Sequence, residues 1–313
     1  MGHQNEERQN ASDLTGLQGK TVVMSGGSRG IGHSIAVQLG AAGARVVLLA
    51  KTGEPHPSLE GTVHTAVEDI EAAGGRGLAV VGDLRRDEDV TRAVDAAVET
   101  FGGIDIVINN ASAIDLSPTE ALDMKRYDLM HDINVRGTFL LSKLAAPHLR
   151  ASAAEGRRPQ ILTLSPPLTG DDGRLDHRWF GRHLAYTMAK YGMSMTTLGL
   201  SQELAGAKGA PGVAVNSLWP VTLIETAAIR SLADKSAGAG QQEQGEAMLR
   251  GSRRPQIVAD AATALLAGAV TQEGELATGR FLTDEEVLRA AGVEDFSGYA
   301  VDPEAEPAPD IFL

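Results

Sequence analysis

The chain has 313 residues, of which 42% are apolar and 22% charged, ample material for one large soluble α/β domain or two small ones. Its net charge of −13 argues against a nucleic-acid footprint and an anionic membrane surface, and the absence of cysteine excludes disulfides, thiolate metal sites and a cysteine nucleophile. No apolar run approaches bilayer length, the N-terminus is too polar for a signal peptide, and Asp-Ile-Phe-Leu is not a peroxisomal signal, so a cytoplasmic location is the expectation.

Residues 1–16 have little to bury and read as a flexible tail. Lys20 to Ser25 is a short apolar run, followed by Gly26-Gly-Ser-Arg-Gly30-Ile-Gly32 and a helical pattern through Leu39. A second apolar run, Ala44 to Ala50, completes a βαβ unit. Helix signals then cover Thr62 to Ala73, a strand Gly77 to Val81, and a helix with acidic opening residues Asp87 to Phe101. The next strand, Ile104 to Ile108, ends in Asn109-Asn110-Ala111-Ser112, and a long helical region follows from Met124 to Leu149, interrupted near Pro147. Strands are expected at Gln160 to Leu164, Val213 to Leu218 and Gly279 to Leu282, with a helix over Leu184 to Leu204.

Short, continuously apolar strands separated by helices predict a parallel sheet covered on both faces. The fold class is therefore α/β: a single-domain Rossmann fold over residues 17–290, a doubly wound parallel sheet of about seven strands. Gly238 to Glu246 reads as a mobile loop, and residues 291–313, with the acidic, proline-rich Asp302 to Pro309, as an extended C-terminal tail.

The glycine-rich turn follows the first strand and opens the first helix, where small residues let backbone N–H groups and the helix dipole approach a pyrophosphate. The spacing is G-x-x-x-G-x-G rather than G-x-G-x-x-G. Gly26-x-Ser28-x-Gly30 also matches a hydrolase nucleophile elbow, although only one strand precedes it and no oxyanion segment lies upstream. An NAD site places a carboxylate at the end of the second strand. Here Lys51 stands in that place, with Arg29 as a second cation, which favours NADP with NAD as the alternative.

Tyr186 and Lys190 lie one turn apart on the same helix face. A lysine held near a tyrosine favours phenolate and turns an inert hydroxyl into an acid or base. Taken alone, the pair is also what chance supplies: a half-buried tyrosine and a solvated lysine.

These features occur in the order found in the short-chain dehydrogenase/reductase family, which the chain resembles over roughly residues 17–285. The glycine turn (Gly26, Ser28, Arg29, Gly30, Ile31, Gly32), Asp83 and Leu84, Asn110 and Ala111, Asn134, and Tyr186 with Lys190 carry the resemblance. Leu164-Ser-Pro-Pro167, Tyr186 to Met193 and Phe296-Ser-Gly-Tyr-Ala-Val are similar to the hydroxysteroid dehydrogenase-like branch, here without its sterol-carrier domain. The resemblance implies that Tyr186 is the proton donor or base, that Lys190 lowers its pKa and holds the nicotinamide ribose, and that Asn134 holds a water. It further implies that a strand-end serine, Ser165, orients the substrate oxygen, that Asp83 meets the adenine, and that Pro220 and Thr222 flank the nicotinamide. Two departures stand out: the second slot of the family's Ser-Ser pair is Pro166, and its Pro-Gly is Pro220-Val221. Ser165 also lies 21 residues before Tyr186, an interval lengthened by an insertion.

The segment from Pro166 to His183, with Trp179 and Phe180, should cover the pocket, Met188, Met193 and Met195 add apolar surface, and Thr222 to Arg254 fold over as a lid. His177 with Asp171, Asp172 and Asp176 matches no ligand spacing, so no metal is expected, and His131, His148 and His183 read as ordinary surface or helix histidines. The expected activity is hydride transfer between NADP and a lipophilic carbonyl or alcohol; the alternative is a cofactor-binding protein that does not turn over. The resemblance further implies a homodimer or homotetramer built through the Asn134 and Tyr186 helices.

Overall fold

The computed structural model describes residues 14–55, 60–170, 173–175, 177–206, 212–238 and 242–312. In chain order it contains β1 (Thr21–Ser25), α1 (Gly30–Ala41), β2 (Arg45–Ala50), α2 (Val63–Ala72), β3 (Arg76–Val81), α3 (Asp87–Phe101), β4 (Ile106–Asn109) and α4 (Met124–Met130). A π-helical segment, His131–Gly137, leads directly into α5 (Thr138–Ala154), followed by β5 (Gln160–Leu164), α6 (His177–Arg182), α7 (Leu184–Glu203) and β6 (Ala214–Trp219). The chain continues with α8 (Ala227–Gly238), α9 (Gln242–Arg250), α10 (Gln256–Ala267), the small hairpin β7 (Thr271–Gln272) and β8 (Glu275–Leu276), β9 (Phe281–Thr283) and α11 (Asp284–Ala290).

The main sheet is parallel throughout, with strand order β3-β2-β1-β4-β5-β6-β9. The winding reverses between β1 and β4, and ligands of such sheets bind in the crevice beyond the strand ends at that point. Alternation along the strands explains why both faces are covered. On one face Val22, Met24, Val46 and Leu48 pack against Ile35 and Leu39 of α1 and Ile257, Val258 and Leu265 of α10. On the other, Val23, Val47 and Leu49 meet Val90 and Val94 of α3, Leu141 and Leu149 of α5, and Leu200 of α7. The sheet is thus the doubly wound, seven-stranded one expected from the sequence.

Three details differ from that expectation. The long helix is broken at the π-helical segment 131–137, while Pro147 lies inside α5. The wider π turn changes which side chains face inward, and Asn134, fully buried, pairs there with the backbone of Ala113. The polar stretch 238–246, read as a loop, is helical from Gln242 onward; the intervening 239–241 lie outside the described residues. Gly245 lets α9 press on α8, because a Cβ there would stand 2.6 Å from the Ala233 carbonyl oxygen. In α7, Met188 and Met195, expected to add apolar surface to the pocket, point outward and are exposed, as are Leu184 and Leu198. Its buried face instead carries small and polar groups, including Ala189, Lys190, Ser194, Thr197 and Ser201, alongside Tyr186 and Met193.

The opposite end of the sheet is held by Asp105, buried just before β4. Its carboxylate accepts from the Thr21 N–H (2.9 Å), the Ser152 hydroxyl (2.7 Å) and the Arg157 guanidinium (2.7 and 2.6 Å). Burial pushes this carboxyl's pKa upward, but the Arg157 and Ser152 hydrogen bonds outweigh it and hold the group below its ordinary 3.8. A depressed carboxylate contributes stability at neutral pH that is lost as pH falls through the folded value. Arg157→Ala should therefore cost about 2 kcal/mol at pH 7, less than a fully buried pair because the guanidinium is partly in water. Urea unfolding should show that deficit shrinking below the ordinary value of 3.8.

Candidate active site and dinucleotide cleft

The turn between β1 and α1 is built for close approach. Gly26, Gly27 and Gly30 have φ of 77°, 112° and 59°, a region that disfavours side chains. A Cβ on Gly26 would stand 2.6 Å from Asn110 Nδ2, and one on Gly32 would collide with the same atom. Asn110 donates to the Ser25 carbonyl (3.2 Å), and the Ala111 N–H donates to the Ser25 hydroxyl (3.3 Å). The loop after β4 is thereby stitched to the loop after β1 at the sheet's switch point. The α1 N-terminus has no side-chain cap, so Arg29, Gly30, Ile31 and Gly32 leave a helix end suited to an anion, with Ser28 in the turn beside them. A dinucleotide fits this cradle, where added Cβ atoms would intrude.

Beyond the β2 and β3 ends, charges cluster. Arg29 donates to the Thr52 hydroxyl (3.3 Å) and the Gly61 carbonyl (3.0 Å), and Lys51 lies 3.9 Å from Asp83. Arg85, which sequence reading missed, grips Asp83 at 3.0 and 2.6 Å, and its hydrogen bonds hold the Asp83 carboxyl below its usual pKa. The carboxylate implied to meet an adenine is thus already claimed by Arg85. Leu84 is buried and its side chain would meet any Cβ on Gly137 at 2.6 Å, leaving its backbone as the part that can serve a ligand.

The other implied residues lie beyond the ends of β4, β5 and β6. Asn134 Oδ1 accepts from the Ala113 N–H (2.7 Å) and its Nδ2 donates to the Ala113 carbonyl (3.0 Å). Lys190 Nζ donates to the Leu164 carbonyl (2.9 Å), immediately before Ser165, and lies 5.0 Å from the centre of the Trp219 ring. The Ser165 hydroxyl is buried with no partner among the described residues, as is the Thr222 hydroxyl after Pro220. Orphaned buried hydroxyls are groups that a polar ligand would satisfy.

The electrostatics differ from the sequence expectation. Tyr186 is 5% exposed, and burial, followed by the nearby Asp310 charge, pushes its phenol above the ordinary tyrosine value despite a hydrogen bond with Ser112. Lys190, 3% exposed, is lowered by burial to about 7, with Asp310 opposing. In this state desolvation outweighs any lowering by Lys190, and the phenol holds its proton.

Sequence reading also missed what covers the tyrosine. The segment 308–312 runs back over the site: Leu223 N–H donates to the Ala308 carbonyl (2.9 Å), Ala308 N–H to Gly251 (2.8 Å) and Asp310 N–H to Val221 (3.0 Å). This places Phe312 against Tyr186, Tyr191, Trp179 and Trp219. The one available signal was Ile311-Phe312-Leu313, three apolar residues after an otherwise acidic, proline-rich stretch. Trp179 and Phe180 join the same cluster, as expected of a cover. Met193 is buried. Asp171, Asp172 and Asp176 lie outside the described residues.

The family model described as short chain dehydrogenase matches residues 20–237. This chain belongs to that family. It is 46% identical to hydroxysteroid dehydrogenase-like protein 2 of Danio rerio over 95% of its own length, but spans only 64% of that relative. A crystal structure described as a dehydrogenase from Xanthomonas campestris superposes with a TM-score of 0.80 at 45% identity, covering 95% of this chain and 98% of that one. A short-chain dehydrogenase structure from Mycobacterium thermoresistibile gives 0.79 at 45% identity, covering 95% and 96%. The family consists of oxidoreductases that bind NAD(P) and act on small molecules. Membership sets aside the nucleophile-elbow reading of Ser28.

Proposed function

We propose that this chain is an NADP-preferring oxidoreductase that interconverts a lipophilic alcohol and its carbonyl. The observation carrying this reading is the convergence of Lys190 on the Leu164 carbonyl beside Ser165, with Tyr186 one turn away on the same buried helix face. The nicotinamide supplies the hydride when bound; the protein supplies position, proton and exclusion of water. Tyr186, kept protonated by burial, gives its proton to a carbonyl oxygen, and the same phenolate takes it back from an alcohol. Ser165, whose hydroxyl is unspent, orients that oxygen. Lys190, fixed by Leu164, stabilises the phenolate once water is replaced by ligand, and Asn134 holds the loop of Ala113 against the site. Lys51, Arg29 and Arg85 form a cationic rim suited to a 2′-phosphate. The burial of Tyr186 favours a second reading, a dinucleotide-binding protein without turnover.

Titration with NADPH and NADH, followed by nicotinamide fluorescence, is expected to show tighter NADPH binding. Lys51→Glu should reduce that preference by about tenfold, the order of one charge-assisted hydrogen bond; binding of neither cofactor would overturn the reading. Tyr186→Phe should keep cofactor binding and lower turnover of a carbonyl panel by roughly 10²–10⁴. Unchanged cofactor binding with no turnover by either protein would favour the second reading.

We further infer a homodimer or homotetramer through the outer faces of α5 and α7, where Phe139, Met195 and Leu198 are exposed. Light scattering should report an oligomer that Leu198→Glu dissociates; a monomeric parent protein would refute this.

A further inference from the structure

Four aromatic rings of the cluster around Tyr186 meet on a single side chain. Phe312 lies with its ring centroid 6.0 Å from Tyr186, 5.8 Å from Tyr191, 5.7 Å from Trp179 and 5.6 Å from Trp219, and only 7% of it is exposed. These separations are those of rings in mutual contact, so no group as wide as another ring fits among them. A substrate must nevertheless bring its oxygen to the Tyr186 hydroxyl, and the apolar part of that substrate has to lie where these rings meet.

The segment bearing Phe312 is fixed in place. Its three backbone hydrogen bonds to residues 221, 223 and 251, and an antiparallel bridge between Thr222 and Pro309, knit it to the backbone that follows β6. Asp310 folds back so that its carboxylate accepts from the Ile311 N–H at 2.7 Å, and this turn directs the next side chain inward. Residues 308–312 are therefore built as a wall of the chamber. The same wall brings a carboxylate, Asp310, within electrostatic reach of both Tyr186 and Lys190. Burial pushes the Asp310 carboxyl up to about 7, and with apolar rings lining the rest of the chamber the site suits neutral, apolar ligands.

We propose that Phe312 is a specificity-determining residue: its ring sets the width of the neutral, apolar carbonyl compound that can reach Tyr186. The proposal deepens the oxidoreductase reading and rests on it for the identity of the reacting group. A one-ring ketone enters when the Phe312 ring turns aside, whereas a fused bicyclic one needs the space that ring keeps in any rotamer.

The chain has two tryptophans, Trp179 and Trp219, and both touch Phe312, so their fluorescence reports ligand entry directly. Full-length parent protein, Phe312→Ala and Phe312→Leu would each be titrated with cyclohexanone and with 2-decalone in the presence of NADPH. Phe312→Ala should shift the affinity ratio toward 2-decalone by about tenfold, with Phe312→Leu between the two, while NADPH affinity stays constant. A ratio unchanged within about twofold in both variants overturns the proposal. So does equal weakening of both ketones, which is what a purely structural role predicts, or binding of neither ketone by any of the three proteins. The same samples are then assayed for NADPH oxidation. A shifted binding ratio with no turnover of either ketone supports the width filter and counts against the oxidoreductase reading, which separates the two failures.

Discussion

Asn134 both donates to and accepts from the backbone of Ala113, and these two hydrogen bonds tie the loop beyond β4 to the helical layer covering it. The local cost is a stretch of π-helix, which is tolerated because the buried amide is fully paired. With that loop fixed, Asn110 is held against Gly26 and Gly32 on one side, and Ser112 reaches the Tyr186 phenol on the other. The dinucleotide cradle and the tyrosine are thus set by one connection between a strand end and a helix.

The charged groups divide by depth. Asp105 is buried and answered by Arg157, Ser152 and the Thr21 N–H, so its interactions resist salt and matter for stability. Lys51 is 60% exposed and 3.9 Å from its partner, so that pair contributes almost nothing to folding. Near Tyr186 the balance is different again. Removal from water raises the phenol and lowers the ammonium, so burial pushes both groups toward their uncharged forms.

Local sequence was enough for much of this. Continuous apolar strands, helices between them and a glycine turn after the first strand were legible because a doubly wound sheet imposes those patterns on every βαβ unit. The positions of Tyr186, Lys190, Asn134 and Ser165 near one another followed from resemblance, and the fold brings them to one end of the sheet. What stayed hidden depends on long-range packing. The π turn at 131–137 arises from a partner 21 residues earlier in the chain. Phe312 takes its place because Asp310 and Ala308 pair with the backbone of Val221 and Leu223, which no local period encodes. Which side of α7 faces inward was not legible because its buried side is occupied by polar groups that find partners, such as Ser194 on the Pro166 carbonyl at 2.6 Å.

That helix has one more consequence. Tyr186 and Lys190 point inward from the same rod whose other side presents Met188, Met195 and Leu198 to the outside. A helix is stiff in torsion, so the two sides cannot rotate independently. Any body that presses on the outer stripe therefore bears on the one element that carries both Tyr186 and Lys190.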